Sequence, residues 1–567
     1  MIHSRAEPSA GPAGRDAVSA PVRVPVGAEA TRWTTVGFER VVLAVVRTVT
    51  TATRLLDVLE LLRRDPRVQI VFTHEPGSAF SAGVDDLLRS IGARTLPWDQ
   101  ATALRFDLAV AASEAGGLHL LDAPVVVLPH GAGHHKYVKR STTVSGYTPT
   151  SLLHEGEVVP AAIVLSHPDQ LADLAASCPE ATPRAVVAGD VCLDRLAAGV
   201  PHRERYRRAL GAQGRRLVVA ASTWGPDSLM GREPDLVTRL AAELPADEYR
   251  VALVLHPSVW FGHSPYQVRG WLAGALDAGL LLVPPHEGWR ATLLAADLLL
   301  GDHGSLSLYG AAVGVPLALA AFGADEVVPG SPMALLGAAA PRLDTGKPLL
   351  PQVVALVADH DPAALRAVAD RVFALPGVGS TVLRSLLYRL MGLPDPSSPA
   401  GVAPVPDPVP ECRRVTAWRV VTSVVAAGVV AIERYPAVLE RPNTWAAGTR
   451  DEHFAVEEDS LDTTIVDTAS VVTTPRAFDS DAAALDWCRA ALEAHPTARV
   501  TAASGVLAVR GGPDLRLRGT VDHDVVALAA SARYALPSGG REVEVLLGGR
   551  VLALGFDAVG GSTPPLR

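Results

Sequence analysis

The stretch Val125-Val-Val-Leu-Pro-His-Gly-Ala-Gly-His-His-Lys-Tyr137 joins a short apolar run to a loop rich in histidine and glycine. A run this short and this rich in β-branched residues is typical of a strand buried inside a parallel sheet. Ligands of open α/β sheets bind beyond the carboxyl ends of the strands. The sequence therefore places His130 and the loop after it at a predicted ligand edge.

The same pattern, an apolar run that ends within three residues of a histidine, recurs along the chain. The further runs are Val68–Phe72 before His74, Ala161–Leu165 before His167, Val251–Leu255 before His256, Leu280–Val283 before His286, and Asp297–Leu300 before His303. They fall into two groups separated in sequence. This grouping predicts a cleft between two halves, with a phosphate-bearing ligand as the first hypothesis.

Predicted strands alternate with predicted helices from residue 37 to residue 390, which is the signature of βαβ units. The predicted fold class is α/β, with two Rossmann-like halves, 37–200 and 201–390, facing each other across an interdomain cleft. Residues 1–36 are rich in Ala, Pro, Gly and Ser and are predicted to be disordered. Residues 391–410 are predicted to be a Pro-rich linker.

The segment 411–567 has a different pattern and predicts an accessory α+β domain, in which no chemistry is recognised. One helix is predicted at Asp481–Ala494. Strands are predicted over Val415–Ile432, Thr463–Val472, Arg499–Val509, Leu515–Leu528 and Glu542–Leu554, the last with a hairpin at Gly548–Gly549.

Composition narrows the function classes. The formal net charge is -9 and there is no basic block, which argues against nucleic acid as a partner. The uncharged, valine-rich stretch Val420–Ile432 is too short to span a bilayer, and no secretory signal is recognised. The expected location is the cytoplasm, with peripheral contact to a membrane left open.

Several cofactor motifs are missing. HExxH, the P-loop lysine motif, the GxSxG nucleophile elbow and a GxGxxG after the first strand are all absent from the sequence. The scattered cysteines, which include no CxxC pair, do not resemble a zinc ribbon. We therefore expect no metal and no cofactor, and NAD chemistry is disfavoured.

Two loops carry the strongest candidate sites. In the loop after Val125–Leu128 the candidate ligand-binding groups are Gly131, Gly133, His134, His135 and Lys136, and His130 is placed to be a general base. The second loop opens a predicted helix, whose free N–H groups suit an anion; its candidates are Asp302, His303, Gly304, Ser305 and Ser307. The plainer interpretations are a solvated turn and an ordinary helix cap.

Further candidates follow other strands. His256 is a candidate phosphate contact, Ser222 and Thr223 could face the cleft, and His74 and His286 could line it. Asp190 ends the first half and is expected to line the cleft or shape the hinge. For each of these residues a capping or packing role is the alternative.

The motifs in this order resemble the two-Rossmann GT-B glycosyltransferases, and among them the CDP-glycerol glycerophosphotransferases of wall teichoic acid synthesis. The resemblance covers about residues 38–390 and rests on His130-Gly131, Gly189-Asp190-Val191-Cys192-Leu193-Asp194, Ser222-Thr223-Trp224, His256-Pro257 and Gly301-Asp302-His303-Gly304-Ser305. UDP-N-acetylglucosamine 2-epimerases are similar at a greater distance. The family's acid for the ribose hydroxyls is replaced here by Tyr309.

The resemblance implies a transferase that moves a glycosyl or polyol-phosphate group from a nucleotide-diphospho donor to a hydroxyl acceptor. His130 would be the base, and Asp190 is a second catalytic candidate. His256 and the Ser305/Ser307 helix start would hold the diphosphate, with added positive charge from His303 and Lys136. Two alternatives stay open: an epimerase or hydrolase acting on a nucleotide sugar, and a non-catalytic scaffold with a degenerate transferase fold.

Overall fold

The computed structural model describes residues 21–27, 30–137, 144–439, 451–537 and 540–559. Its first half contains a parallel sheet of strand order β3-β2-β1-β4-β5-β8-β9 and a small hairpin, β6-β7. The strands are β1 Arg40–Val46, β2 Val68–His74, β3 Thr95–Leu96, β4 Leu108–Ala111, β5 Val125–Val127, β6 Leu153–His154, β7 Glu157–Val158, β8 Ala162–Leu165 and β9 Ala185–Val187. The helices are α1 Ala30–Trp33, α2 Val49–Arg63, α3 Val84–Ser90, α4 Trp98–Thr102, α5 Pro149–Leu152, α6 Gln170–Ser177 and α7 Val191–Gly199.

The second half repeats this organisation around a parallel sheet of order β12-β11-β10-β13-β14. Its strands are β10 Arg216–Ser222, β11 Tyr249–Leu255, β12 Leu281–Val283, β13 Leu298–Gly301 and β14 Leu317–Leu319. Its helices are α8 Arg203–Ala209, α9 Leu229–Arg232, α10 Leu236–Glu243, α11 Pro257–His263, α12 Pro265–Trp271, α13 Ala273–Asp277, α14 Trp289–Ala295, α15 Ser305–Val313, α16 Pro332–Ala339, α17 Leu349–Ala358, α18 Pro362–Ala369 and α19 Gly379–Met391. The predicted α/β class with two Rossmann-like halves is confirmed.

The chain crosses between the halves twice, and the two crossings touch. Helix α19 returns to the first half, where Leu383, Leu387 and Tyr388 pack in the core that β1 and α2 form. At the crossings, a Cβ on Gly189 would lie 2.6 Å from the carbonyl oxygen of Ala374, a distance that only glycine permits. The last helix of residues 201–390 therefore belongs structurally to the first half.

The third region is a closed barrel of order β15-β16-β22-β23-β21-β20-β19-β18-β17. Its strands are β15 Ala417–Ala426, β16 Val429–Pro436, β17 Asp451–Glu457, β18 Val471–Thr474, β19 Val500–Ala503, β20 Val506–Val509, β21 Leu515–Leu517, β22 Glu542–Leu547 and β23 Arg550–Ala558, and its helices are α20 Thr463–Thr468, α21 Asp481–Ala494 and α22 His523–Ala535. Helix α22 is buried on several faces and packs with the inward residues of the strands. It therefore fills the barrel, as a helix with apolar contacts on every side must.

Two strand predictions in this region are wrong. The segment Thr463–Val472 begins with helix α20, and Leu515–Leu528 contains only the short β21 before α22 begins at His523. Each helix starts at an aspartate whose side chain accepts a backbone N–H, Asp462 from Ile465 and Asp522 from Val525. The β-branched residues suggested strands, but these N-caps and the surrounding barrel favour helix. The predicted hairpin at Gly548–Gly549 is confirmed.

The chain segments outside the elements are held by specific contacts. In the segment predicted to be disordered, residues 1–20 lie outside the described residues, whereas Val22 exchanges hydrogen bonds with the Gln100 amide and Val26 is buried. In the predicted linker, Arg195 donates to the carbonyls of Ala403 and Pro404. The linker therefore lies against α7 of the first half. None of the helices in the described ranges is long and apolar enough to cross a membrane.

Candidate functional site

A cavity of about 410 Å³ lies between the two Rossmann-like halves, beyond the carboxyl ends of β5, β10, β11 and β13. Both halves line it. The predicted site residues that it brings together are His130, Gly131, Gly133, His134, His135, Lys136, Ser222, Thr223, His256, Asp302, His303, Gly304, Ser305 and Ser307. We call this cavity the cleft.

The two principal loops meet across the cleft. A Cβ on Gly131 would lie 3.3 Å from the Ser305 hydroxyl, so the loop after β5 passes directly over the start of α15. Farther along the same loop, Tyr137 donates its backbone N–H to the Glu326 carbonyl and Val328 donates to the His135 carbonyl. Glycine at 131 thus allows the close approach of the two halves.

His130 follows β5 and its side chain is open to the cleft. The backbone on either side is fixed by Arg54 of α2, whose guanidinium donates to the carbonyls of Pro129 and Gly131 at 3.0 Å each. Partial removal from water by the surrounding protein lowers the pKa of the His130 imidazole. The Glu114 carboxylate opposes this change, and the positive charges of Arg54 and Lys136 add to it. The ring is therefore neutral at neutral pH, as a general base must be.

Asp190 lies beneath this loop and does not line the cleft. Its carboxylate forms a buried double ion pair with Arg54, accepts the Tyr309 hydroxyl at 3.0 Å and caps α7 through the Leu193 N–H. Burial alone would lower the pKa of Arg54, but Asp190 raises it well above its ordinary value. With these partners, Asp190 positions Arg54 and has no oxygen directed at the cavity.

A second buried charge network joins the halves beside the first. Asp57 of α2 pairs with Arg195 at 2.7 Å and with Arg290, and both arginines also bind Glu287. The pKa of Asp57 is lowered because the two guanidinium groups outweigh the effect of burial. Asp57 and Arg290 line the cleft, so this ion-pair network forms part of its wall.

The two other histidines of the loop after β5 are packed. The His135 ring is hydrogen-bonded to the Ala132 carbonyl, and the His134 ring lies edge-on to Tyr147, with 4.6 Å between ring centroids. Burial lowers the pKa of His134 to about 3 and that of His135 to about 4. Both are therefore neutral loop-shaping groups near neutral pH.

Asp302 holds the loops of the second half together. It accepts backbone N–H groups from Thr223, Leu229 and Gly304, each at 2.8 Å. The Ser307 hydroxyl donates to the Asp302 carbonyl at 2.8 Å, and that of Ser222 donates to the Thr223 carbonyl at 2.9 Å. These groups shape the cleft wall through hydrogen bonds that leave them little capacity for a ligand.

His303 differs from its predicted role as a positive charge. Its Nδ1 accepts the Gly323 N–H at 3.2 Å, and its Nε2 lies 3.0 Å from Glu326. Burial and Lys136 lower the pKa of His303, against the opposing effects of Asp302 and Glu326. Protonation of Nδ1 would break its hydrogen bond, so the ring is a neutral donor to Glu326.

His256, Lys136 and the start of α15 retain donors that face the cleft. His256 Nδ1 accepts the Ser258 N–H at 3.1 Å, so the proton of the neutral ring lies on Nε2. Burial lowers its pKa to about 3, with further contributions from His130 and Lys136. The Lys136 ammonium group makes a long 3.4 Å contact with Thr223, and Ser305 and Leu306 line the cleft where the helix leaves its N–H groups free.

Two predicted lining residues lie outside the cleft. His74 ends β2 with Nδ1 3.0 Å from Asp85, and His286 is exposed on the surface after β12. Neither lines the cavity.

Sequence reasoning missed the network of Arg54, Asp57, Arg195 and Arg290. Two of these residues, Arg54 and Asp57, lie on α2. A signal was present: both charges fall among the residues of the helix that are buried, together with Leu55, Val58 and Leu62. Charged residues on the apolar face of a helix are unusual unless they are paired.

The cleft has an excess of hydrogen-bond donors. Its lining carboxylates, Asp57 and Asp302, are fully engaged, whereas Lys136, His256 Nε2 and the α15 start keep donor capacity. Such an arrangement suits an anion, and a diphosphate at a helix start is the typical occupant. Among the described residues, no group of three or more His, Cys, Asp or Glu side chains is placed to hold a metal ion.

Comparison with known proteins gives only distant structural similarity. No protein family and no curated protein matches the chain. Solved structures with similarity include the wall teichoic acid polymerase TagF (12% identity, TM-score 0.43, 62% of this chain and 89% of that one). Anabaena HepE in complex with UDP-glucose (13%, 0.37, 62% and 100%) and a Listeria monocytogenes protein assigned as a UDP-N-acetylglucosamine 2-epimerase (14%, 0.41, 63% and 98%) are also similar.

Proposed function

We propose that the cleft transfers a glycosyl or polyol-phosphate group from a nucleotide-diphospho donor to a hydroxyl acceptor. The observation that carries the proposal is the meeting of a neutral, unpaired imidazole, His130, with the donor-rich start of α15 across one cavity. A base and an anion site that line the same cavity suit a reaction that deprotonates one oxygen while another oxygen becomes an anionic leaving group.

In this reaction His130 accepts the proton of the acceptor hydroxyl. The acceptor oxygen forms a bond to the sugar carbon, or to the phosphorus that carries the polyol. The bond from that atom to the nucleotide's phosphate oxygen breaks, and its electron pair leaves with the nucleotide. His256 Nε2, Lys136 and the N–H groups of α15 stabilise the developing negative charge.

Asp190, Arg54 and Tyr309 position the His130 loop in this proposal. Arg54 fixes the carbonyls on both sides of His130, and Asp190 with Tyr309 fixes Arg54. A base must be held within hydrogen-bond reach of its proton, so this buried support matters for the rate. His303, Ser307 and Asp302 have the corresponding positioning role in the second half.

A thermal-shift screen tests donor binding. The full chain is heated with UDP-, CDP- and GDP-linked sugars and with CDP-glycerol; a ligand at 100 times its Kd stabilises a protein by about 2.7 kcal/mol. We expect one donor class to raise Tm, and its turnover to require a hydroxyl acceptor. Nucleotide release without acceptor would instead favour a hydrolase, isomerised sugar an epimerase, and no shift with any donor a non-catalytic scaffold.

A further inference from the structure

A second cavity, of about 370 Å³, lies at one end of the C-terminal barrel, where α22 begins. All of its lining residues belong to the segment 414–527, and they include Arg414, Trp418, Arg434, Glu457, Asp522 and His523. The cavity is within the size range of small-molecule sites, which begin near 300 Å³. We call it the barrel pocket.

A hydrogen-bonded cluster forms one side of the barrel pocket. The buried Glu457 carboxylate lies 3.1 Å from His523 Nε2 and 2.6 Å from the Arg414 guanidinium. Because the Nε2 of His523 is bonded to Glu457, Nδ1 is the ring atom that remains for a hydrogen bond to a ligand. The cluster thus presents acceptors and donors side by side.

An aromatic ring forms another side. Trp418 of β15 is half-buried, and the Arg434 guanidinium lies over its ring, 5.1 Å from the ring centroid. Arg434 is itself fixed by Asp247 of the second Rossmann-like half and by Asp524 at the start of α22. The indole therefore packs against the barrel core and Arg434, and the part of its surface that they leave uncovered lines the pocket.

The two arginines that line the barrel pocket are both in ion pairs, and the lining carboxylates outnumber them. Arg414 is paired with Glu457, and Arg434 is paired with Asp247 and Asp524. Asp522 lines the pocket as a further carboxylate and caps α22. With both lining guanidinium groups already in ion pairs, the pocket does not favour a phosphate.

We propose that the barrel pocket binds a neutral, hydroxyl-rich ligand, either a sugar or a polyol. The C–H face of such a ligand would pack on Trp418, since an aromatic face is electron-rich and apolar. Its hydroxyl groups, which both donate and accept, would bond to Glu457, Asp522 and His523. This site is separate from the cleft, and the proposal does not depend on the transfer reaction.

Binding to a printed glycan array, followed by calorimetric titration of the retained sugars and of glycerol and ribitol, tests the proposal. We expect the full chain to retain neutral glycans or to bind a polyol. Trp418→Ala and the milder His523→Gln should each weaken binding at least tenfold, while Trp271→Ala, an exposed tryptophan outside both cavities, should leave it unchanged.

Three results would overturn the assignment. The first is that no neutral glycan or polyol binds; the second is that binding is equally strong in Trp418→Ala and His523→Gln. The third is that only anionic glycans bind. Circular dichroism of both variants guards against unfolding, and His523→Gln keeps a hydrogen-bonding side chain at the first residue of α22.

Discussion

The cleft and the barrel pocket have similar volumes, about 410 and 370 Å³, but opposite arrangements of charge. In the cleft the carboxylates are used up and Lys136, His256 and a helix start remain available. In the barrel pocket both guanidinium groups are in ion pairs, and Glu457, Asp522 and His523, each with a partner of its own, line the space together. The two proposals therefore rest on which charged groups of a cavity are already paired, more than on which residue types line it.

Both cavities also rest on a buried arginine. Arg54 pairs with Asp190 under the cleft, and Arg434 pairs with Asp247 and Asp524 under the barrel pocket. Arg54 joins α2 to the start of α7, and Arg434 joins β16 to the second Rossmann-like half and to α22. We therefore expect the loss of either arginine to disturb the cavity that it lines.

The largest effect is expected for His130→Ala. Loss of a general base typically slows turnover about 10²- to 10⁴-fold. We expect the rate of transfer to fall by this factor, measured with the donor that the thermal-shift screen identifies. The affinity for the donor and the binding of glycans should not change. His286→Ala, an exposed histidine outside the cleft, is the matched control. Near-normal transfer by His130→Ala would refute its role as the base.

The pH profile of that transfer sharpens the assignment. The pKa of His130 is lowered. As the pH decreases, kcat/KM should therefore still be at its full value at the ordinary imidazole pKa of about 6.5, and it should begin to fall only at a lower pH. A fall that begins above that value would show that a different group titrates.

Removing each buried arginine is expected to have the next largest effect. Arg54→Ala leaves Asp190 buried without its cation, and breaking such a pair costs about 3–5 kcal/mol. Arg434→Ala likewise leaves the Asp247 carboxylate buried without its cation. Urea unfolding should show a large decrease in the free energy of unfolding for both variants. Arg54→Ala should also impair transfer, and Arg434→Ala should impair glycan binding. A decrease below about 1 kcal/mol in either variant would mean that the ion pair is not buried in solution.

Acid should destabilise both regions through buried histidines. Burial lowers the pKa of His453 inside the barrel to about 3, so the unfolded chain binds a proton that the folded chain does not between about pH 3 and 6.5. Stability is therefore full above pH 6.5 and falls as the pH decreases, by about 2 kcal/mol at pH 5 for this residue. His453→Gln should flatten that dependence in urea unfolding at pH 5 and 7; an unchanged slope would contradict the burial.

The smallest effect is expected for Tyr309→Phe. Its hydroxyl donates to the Asp190 carboxylate, which remains paired with Arg54 in the variant. We therefore expect the free energy of unfolding to fall by about 1–2 kcal/mol, and the affinity for the donor to change by less than twofold. Tyr206→Phe, which loses a hydrogen bond to the Val405 carbonyl, is the control. A large loss of donor affinity would show that the Tyr309 hydroxyl contacts the ligand.

The sequence predicted the Rossmann-like halves and most of the cleft because strand-ending motifs are local. His130, His256 and Ser305 each follow a recognisable run, and the parallel sheets bring them to one edge. Pairing is not local: Arg54 and Asp190 are separated by 136 residues, and their partnership decides that Asp190 faces inward. The barrel pocket was missed for the same reason, since Trp418, Glu457 and His523 meet only when the barrel closes around α22.

Calorimetric titration of UDP and CDP into the full chain tests the central claim most directly. We expect one nucleotide to bind at one site per chain, at least tenfold more weakly in Lys136→Met and His256→Ala, and with unchanged affinity in Trp418→Ala. No binding of either nucleotide, or binding that persists in both cleft variants and is lost in Trp418→Ala, would contradict the assignment of the cleft as the nucleotide site.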